Sequence, residues 1–102
     1  MRLYTNESQT AKLIKLGFEK PKSEVKAENA GECAWYNPAY SIGELIEMLP
    51  KEFDGERLEI AAVTLSRYKW VVRYPYGIIV YKNELIDALY DMLIKLKEEG
   101  VI

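Results

Sequence analysis

The sequence predicts an α+β domain: a small antiparallel sheet of three or more strands with helices packed on one face. Three observations carry that expectation. Ile42, Leu45, Ile46 and Leu49 recur at i, i+3, i+4 and i+7, the spacing of one helix face. β-prone runs at 58–63, 70–74 and 78–81 follow, with turn chemistry at Pro75-Tyr76-Gly77. The stretch from Asn83 to Gly100 then reads as an amphipathic helix.

The elements follow in order. Thr5 or Asn6 suits a helix N-cap, and Gln9 lies three residues after Asn6, the spacing of a capping box. The first helix is expected over 6–16, with Gly17 as a left-handed stop and Phe18 folded back on Leu13. Pro21 and the Lys/Glu-rich stretch after it read as an exposed connection. Val25 and Ala27 alternate with charges, allowing a short edge strand, and Cys33 to Tyr36 allow a second. Asn37-Pro38 reads as a turn.

Ser41 with Glu44 forms a second capping-box pattern, and Pro50 ends that helix. Residues 51–57 read as a charged loop turning at Asp54-Gly55. After the three strands, Asn83 is the expected cap of a helix over 84–99. Gly100 stops it, with Val101 returning to Leu96. On a helical wheel Leu85, Ile86, Leu89, Met92, Leu93 and Leu96 share one arc. Ala88 and Tyr90 widen it to about 200°. An arc that wide calls for flanking helices or for a second copy of the chain, so a homodimer through this helix is one expectation.

At 102 residues the chain holds one domain, 1–102, with one core. No run approaches the roughly 20 apolar residues of a membrane helix. The segment Met1-Arg2-Leu3-Tyr4-Thr5-Asn6-Glu7 lacks the apolar stretch of a signal peptide, so a cytoplasmic location is expected. Net charge is −2, unevenly spread. Residues 1–26 carry six cations and three anions, 27–66 two cations and eight anions, and 67–102 six cations and five anions. Neither basic block has the density of a nucleic-acid footprint.

Histidine is absent and Cys33 is the only cysteine. His-dependent triads and bases are thereby excluded, as are internal disulfides and cysteine-based zinc sites. Cys33 has no cation near it in sequence to activate the thiol and reads as a small buried hydrophobe. Asp54-Gly55-Glu56 lacks the alternating oxygen ligands of a calcium loop, and the isolated glycines form no phosphate loop. No catalytic residue, cofactor or metal site is assigned, and the chain is expected not to be an enzyme. A hydrolase or transferase built on carboxylates is the catalytic class left open.

Arg67, Lys69 and Arg73 interleave with Tyr68, Trp70, Tyr74 and Tyr76, a pattern seen where aromatics stack on bases and cations hold phosphates. If the strand reaches back to Arg67, its period of two puts Tyr68, Trp70, Val72 and Tyr74 on one face and the cations on the other. The aromatic face is then expected beneath a helix. That separation argues against nucleic acid as partner.

The run Trp35-Tyr36-Asn37-Pro38-Ala39-Tyr40-Ser41-Ile42-Gly43-Glu44-Leu45-Ile46-Glu47-Met48-Leu49-Pro50 carries a "P-x-aromatic-S-aliphatic-x-x-L-x-x-x-L-P" element. Trp70-Val71-Val72-Arg73-Tyr74 and Ile86 to Leu96 follow it. In this order the elements resemble a group of short uncharacterised proteins of Bacteroides-type gut bacteria and their phages and mobile elements. The resemblance covers roughly 35–102. It implies a small α+β fold and a bacterial or phage origin. It implies no activity and no functional residues.

The functional expectation is a small non-enzymatic protein-interaction module. Its expected surface is the acidic middle, Glu44, Glu47, Glu52, Asp54 and Glu56, with Tyr36 and Tyr40 as exposed tyrosines. The alternative is a nucleic-acid-associated regulator using Arg67, Lys69 and Arg73.

Overall fold

The computed structural model describes residues 1–26, 36–64, 67–75 and 77–102, with backbone alone for Lys26 and Tyr36. The expectations for Ala27, Cys33, Ala34, Trp35 and Tyr76 lie outside the described residues.

Helix α1 spans Glu7–Lys15. Its capping box forms as the sequence implies: Gln9 N donates to Asn6 Oδ1 at 2.8 Å, and Asn6 N to Gln9 Oε1 at 3.0 Å. Gly17 takes φ +95°, which lets Phe18 N reach the Leu13 carbonyl at 3.2 Å. Strands β1 (Ser23–Lys26) and β2 (Tyr36–Ala39) pair antiparallel, with Pro38 opposite Glu24. Asn37-Pro38 is therefore strand and not turn. In a two-stranded ribbon each strand has an unpaired edge, where a residue without an N–H costs no ladder bond.

Helix α2 spans Ile42–Met48. Glu44 N donates to Ser41 Oγ at 3.1 Å, and Ser41 N to Glu44 Oε1 at 3.2 Å. Leu49 is extended, as a residue before proline prefers. The expected charged loop at 51–57 is instead a minimal hairpin, β3 (Glu52–Phe53) with β4 (Glu56–Arg57). Asp54 and Gly55 both have positive φ, +53° and +81°. That backbone twist matches two antiparallel strands joined by a two-residue turn. The turn residues were legible, and the pairing they direct was not.

Strands β5 (Glu59–Ala62), β6 (Trp70–Arg73) and β7 (Ile79–Lys82) form an antiparallel sheet in the order β5-β6-β7. Ile60, Val72 and Val80 are cross-strand partners on one face. Helix α3 (Leu85–Glu98) covers that face, touching β6, β7 and α2. The architecture is thus α+β, with three small antiparallel sheets and three helices among the described residues.

The expected Asn83 cap is not formed. Glu84 occupies the N-cap and makes no capping bond with its side chain. Its carboxylate accepts instead from Arg2 N at 3.0 Å, while Asp87 places negative charge in the first turn. At the other end Gly100 has φ +75° and Val101 N returns to the Leu96 carbonyl at 2.9 Å, as expected.

The broad apolar arc of α3 is covered within the chain. Leu85, Ile86, Ala88, Leu89, Met92, Leu93 and Leu96 are buried, in one cluster with Leu13, Leu45, Leu49, Val72 and Val80. Tyr90 and Ile94 pack at its margin. The sheet lies on one side of α3 and α2 on another. This coverage removes the observation that pointed to a homodimer through α3.

The N-terminal segment is tied down by contacts no local pattern announces. Thr5 N donates to the Tyr40 carbonyl and Ile42 N to the Leu3 carbonyl. Arg2 Nη1 bonds Asp87 Oδ1 at 2.9 Å and Nη2 bonds Gln9 Oε1 at 3.0 Å. Gln9 Nε2 also donates to Asp87 Oδ1. One arginine thereby joins the first residues, α1 and the start of α3.

Candidate functional site

The acidic residues singled out from the sequence divide into two groups. Glu44 and Glu47 lie on α2, and Glu52, Asp54 and Glu56 on the β3–β4 hairpin. Among the described residues no hydrogen bond or ion pair links the groups. Glu44 is occupied structurally: besides capping α2 it accepts from Lys22 N at 2.8 Å. Partial burial pushes its carboxyl upward. Hydrogen bonds from the Ser23 hydroxyl and from the Lys22 and Ser41 N–H groups outweigh that, and its pKa lies below the usual 4.5.

Tyr40 is not an exposed contact residue. It is 1% exposed, its N–H donates to Thr5 Oγ1, and its hydroxyl donates to the Glu19 carbonyl. The pairing of 3–5 with 40–42 turns it inward. Burial first, then the charges of Glu44 and Glu19, raise its pKa. A cavity of about 280 Å³ beside it is lined by Glu19, Lys20, Lys22, Glu44, Glu47 and Met48. Its walls carry both signs of charge, so it is not an acidic patch. Tyr36 contributes its backbone to β2, opposite Lys26. Glu52 lies across the hairpin from Arg57, at 3.9 Å between largely exposed groups, an arrangement that contributes little. Among the described residues no three carboxylates or other donors converge as a metal site.

A different surface gathers the cations and aromatics. The register of β5, β6 and β7 puts Glu59, Arg73 and Ile79 in one row on the face away from α3, and Ala61, Val71 and Tyr81 in the next. Arg73 Nε pairs with Glu59 Oε2 at 2.7 Å. Ile79 and Tyr81 are 44% and 43% exposed, while Val71 between the outer strands is buried. An antiparallel sheet over one layer of helices ordinarily turns a polar face to water. Here the middle of the outer face is apolar and aromatic.

Tyr68 lies at the margin of this set, its ring beside Tyr81 on the outer face and its hydroxyl near enough to Lys82, whose ammonium pairs with Asp91 of α3, to act on that charge. Strand β6 begins at Trp70, so the alternation that placed Tyr68 beneath the helix does not extend to it. Its ring packs beside that of Tyr81, centroids 6.3 Å apart and planes 31° apart. The Arg67 guanidinium lies 5.0 Å from the Tyr68 ring centre, and its Nη2 donates to the Tyr68 hydroxyl at 3.0 Å. Val72 and Tyr74 are buried and Trp70 packs against the core, as the alternation requires. Tyr68 departs from it. Aromatic and cationic side chains therefore meet on one surface, Tyr68 and Tyr81 with Arg67 and neighbouring Lys69. Among the described residues neither Arg67 nor Lys69 is in an ion pair.

The outward positions Ile79 and Tyr81 were not singled out from the sequence. Their signal was a strand, Ile78 to Tyr81, apolar at every position where one covered face needs only alternate ones.

Comparison with protein-family models, curated proteins and solved structures gave no match. The likeness of residues 35–102 to short bacterial and phage proteins gains nothing from these comparisons. No helix among the described residues is long and apolar enough to cross a membrane.

Proposed function

We propose that this chain is a small non-enzymatic interaction module that engages its partner through the outer face of the β5–β7 sheet. The supporting observation is the exposed pair Ile79 and Tyr81 on the side of the sheet that α3 does not cover, with the Tyr68 ring beside Tyr81. Exposed aromatic side chains supply large contact area at low entropic cost, and Tyr and Arg are enriched among residues that dominate binding. The acidic middle is the weaker surface, because Glu44 is committed to capping and Tyr40 is buried.

A photoreactive amino acid placed at Ile79 tests this in cells of the organism that encodes the chain. A discrete adduct is expected from position 79, absent from a control probe at Glu98 on α3 and lost on Tyr81→Ala with the fold intact. Adducts from a probe at Glu52 with none from position 79 would move the surface to the acidic hairpin and overturn the reading.

A further inference from the structure

Resting on that reading of the outer sheet face, we propose that its partner is single-stranded nucleic acid. The face combines the two features such a ligand needs. One is an exposed aromatic ring with apolar neighbours: Tyr81 is nearly half exposed, with the Tyr68 ring tilted 31° beside it and Ile79 one row away. Bases stack on such rings whatever their sequence, because every base has a π-face. The other is unneutralised positive charge next to these rings. Arg73 is matched by Glu59, but Arg67 and Lys69 are matched by no carboxylate among the described residues.

Charge position decides between this ligand and a neutral apolar one. The chain as a whole is acidic, at −2. Arg67 and Lys69, in no ion pair among the described residues, nevertheless stand next to the face that carries the exposed Tyr81 ring. A neutral hydrophobic partner would leave Arg67 and Lys69 to be desolvated without compensation. A phosphate backbone running past them satisfies both while its bases lie over Tyr81. Arg67 already stacks over Tyr68 and holds its hydroxyl, so its guanidinium is positioned beside these rings. A duplex is disfavoured, since its bases are stacked internally and present no face to a tyrosine.

The test is fluorescence anisotropy of the full chain with labelled dT12 and U12 oligonucleotides at about 0.05 M salt. Expected dissociation constants are roughly 10⁻⁴ to 10⁻⁶ M, the range of non-specific binding. Two phosphate contacts predict a log–log salt slope of about −1.4, and Arg67→Gln should flatten it by about 0.7. Tyr81→Ala should weaken binding about 5- to 150-fold, the loss of one stacked base. Lys95→Gln on α3 should change nothing.

Absence of binding overturns the proposal. So does equal binding to duplex DNA and to poly-glutamate with no response to Tyr81→Ala, which is plain charge attraction. A dimer in sedimentation equilibrium that dissociates on Ile79→Lys would assign the face to a second copy and overturn it as well. A nuclease-resistant adduct at position 79 without oligonucleotide binding sinks this inference and leaves the sheet-face reading standing. Failure of both the adduct and the oligonucleotide sinks both.

Discussion

Tyr74 offers the sharpest test of how the pieces of this fold are joined. It follows β6, is 0% exposed, and its hydroxyl donates to the Pro50 carbonyl at 2.6 Å. Its ring meets Phe53 of β3 edge-to-face, centroids 5.7 Å apart at 77°. One side chain therefore ties the sheet to the end of α2 and to the small hairpin. Tyr74→Phe removes the hydroxyl and keeps the ring. The net loss of one hydrogen bond is about 0.5–1.5 kcal/mol. Pro50 is half-buried, so its carbonyl regains water and the loss should sit within that range rather than above it.

In a urea titration with a slope of roughly 1–1.5 kcal/mol/M, Tyr74→Phe should lower the midpoint by about 0.3–1.5 M. Tyr74→Leu should cost more, because it also removes the aromatic pair, worth about 0.5–1.5 kcal/mol beyond its buried area. Equal midpoints for wild type and Tyr74→Phe would mean that the Pro50 bond holds nothing together. A Tyr74→Leu variant as stable as wild type would refute the placement of the ring. Burial also raises the pKa of Tyr74. The unfolded chain then releases this proton first, so stability falls as pH rises above about 10, and Tyr74→Phe should lose part of that alkaline sensitivity.

Two further outcomes follow from the core and the cap. Leu89→Ala, at the centre of α3, should cost about 2–5 kcal/mol by urea titration; a loss below about 1 kcal/mol would place α3 outside the core. Glu44→Gln keeps the shape of the capping box but removes a charge that accepts several hydrogen bonds, and should cost about 1 kcal/mol at pH 7. The folded pKa of Glu44 lies below its ordinary 4.5. Its contribution is thus complete above that value and is lost as pH falls through the lowered one. The gap between wild type and Glu44→Gln in thermal melts should close on acidification, and a gap that persists at pH 2 would show that the cost is packing rather than charge.

What the sequence made legible was whatever chemistry is local. Asn6 with Gln9 and Ser41 with Glu44 cap their helices because partner and backbone lie three residues apart. Gly17 and Gly100 end theirs for the same reason. Misreadings arise where a distant segment decides. Pro38 sits in a strand because β1 pairs with it, and Asn83 loses its capping role as Glu84 takes the N-cap and binds Arg2. Tyr40 reads as a surface tyrosine until residues 3–5 close over it. The same limit governs the candidate surface. Alternation along β6 correctly buries Val72, and Tyr74 just after it, but it does not reach Tyr68, which lies before the strand with its ring beside one on β7.

That single position removes one ground of an argument. The case against nucleic acid rests on two grounds, the acidic balance of the chain and aromatics and cations occupying opposite faces of one strand, and only the second is touched. In the folded chain the relevant aromatics come from two places, Tyr68 before β6 and Tyr81 on β7, and Arg67 is in contact with the first of them. The strand still separates Trp70 and Val72 from Val71 and Arg73, so the alternation holds where there is a strand to carry it. Charge then orders the outer face along its length. Glu59 neutralises Arg73 at one end, and among the described residues no carboxylate matches Arg67 and Lys69 at the other. A partner that simply covers apolar area would be indifferent to that polarity. One that carries anionic groups at regular intervals beside flat rings would not, which is why the salt slope and the Tyr81→Ala loss must appear together for the assignment to hold.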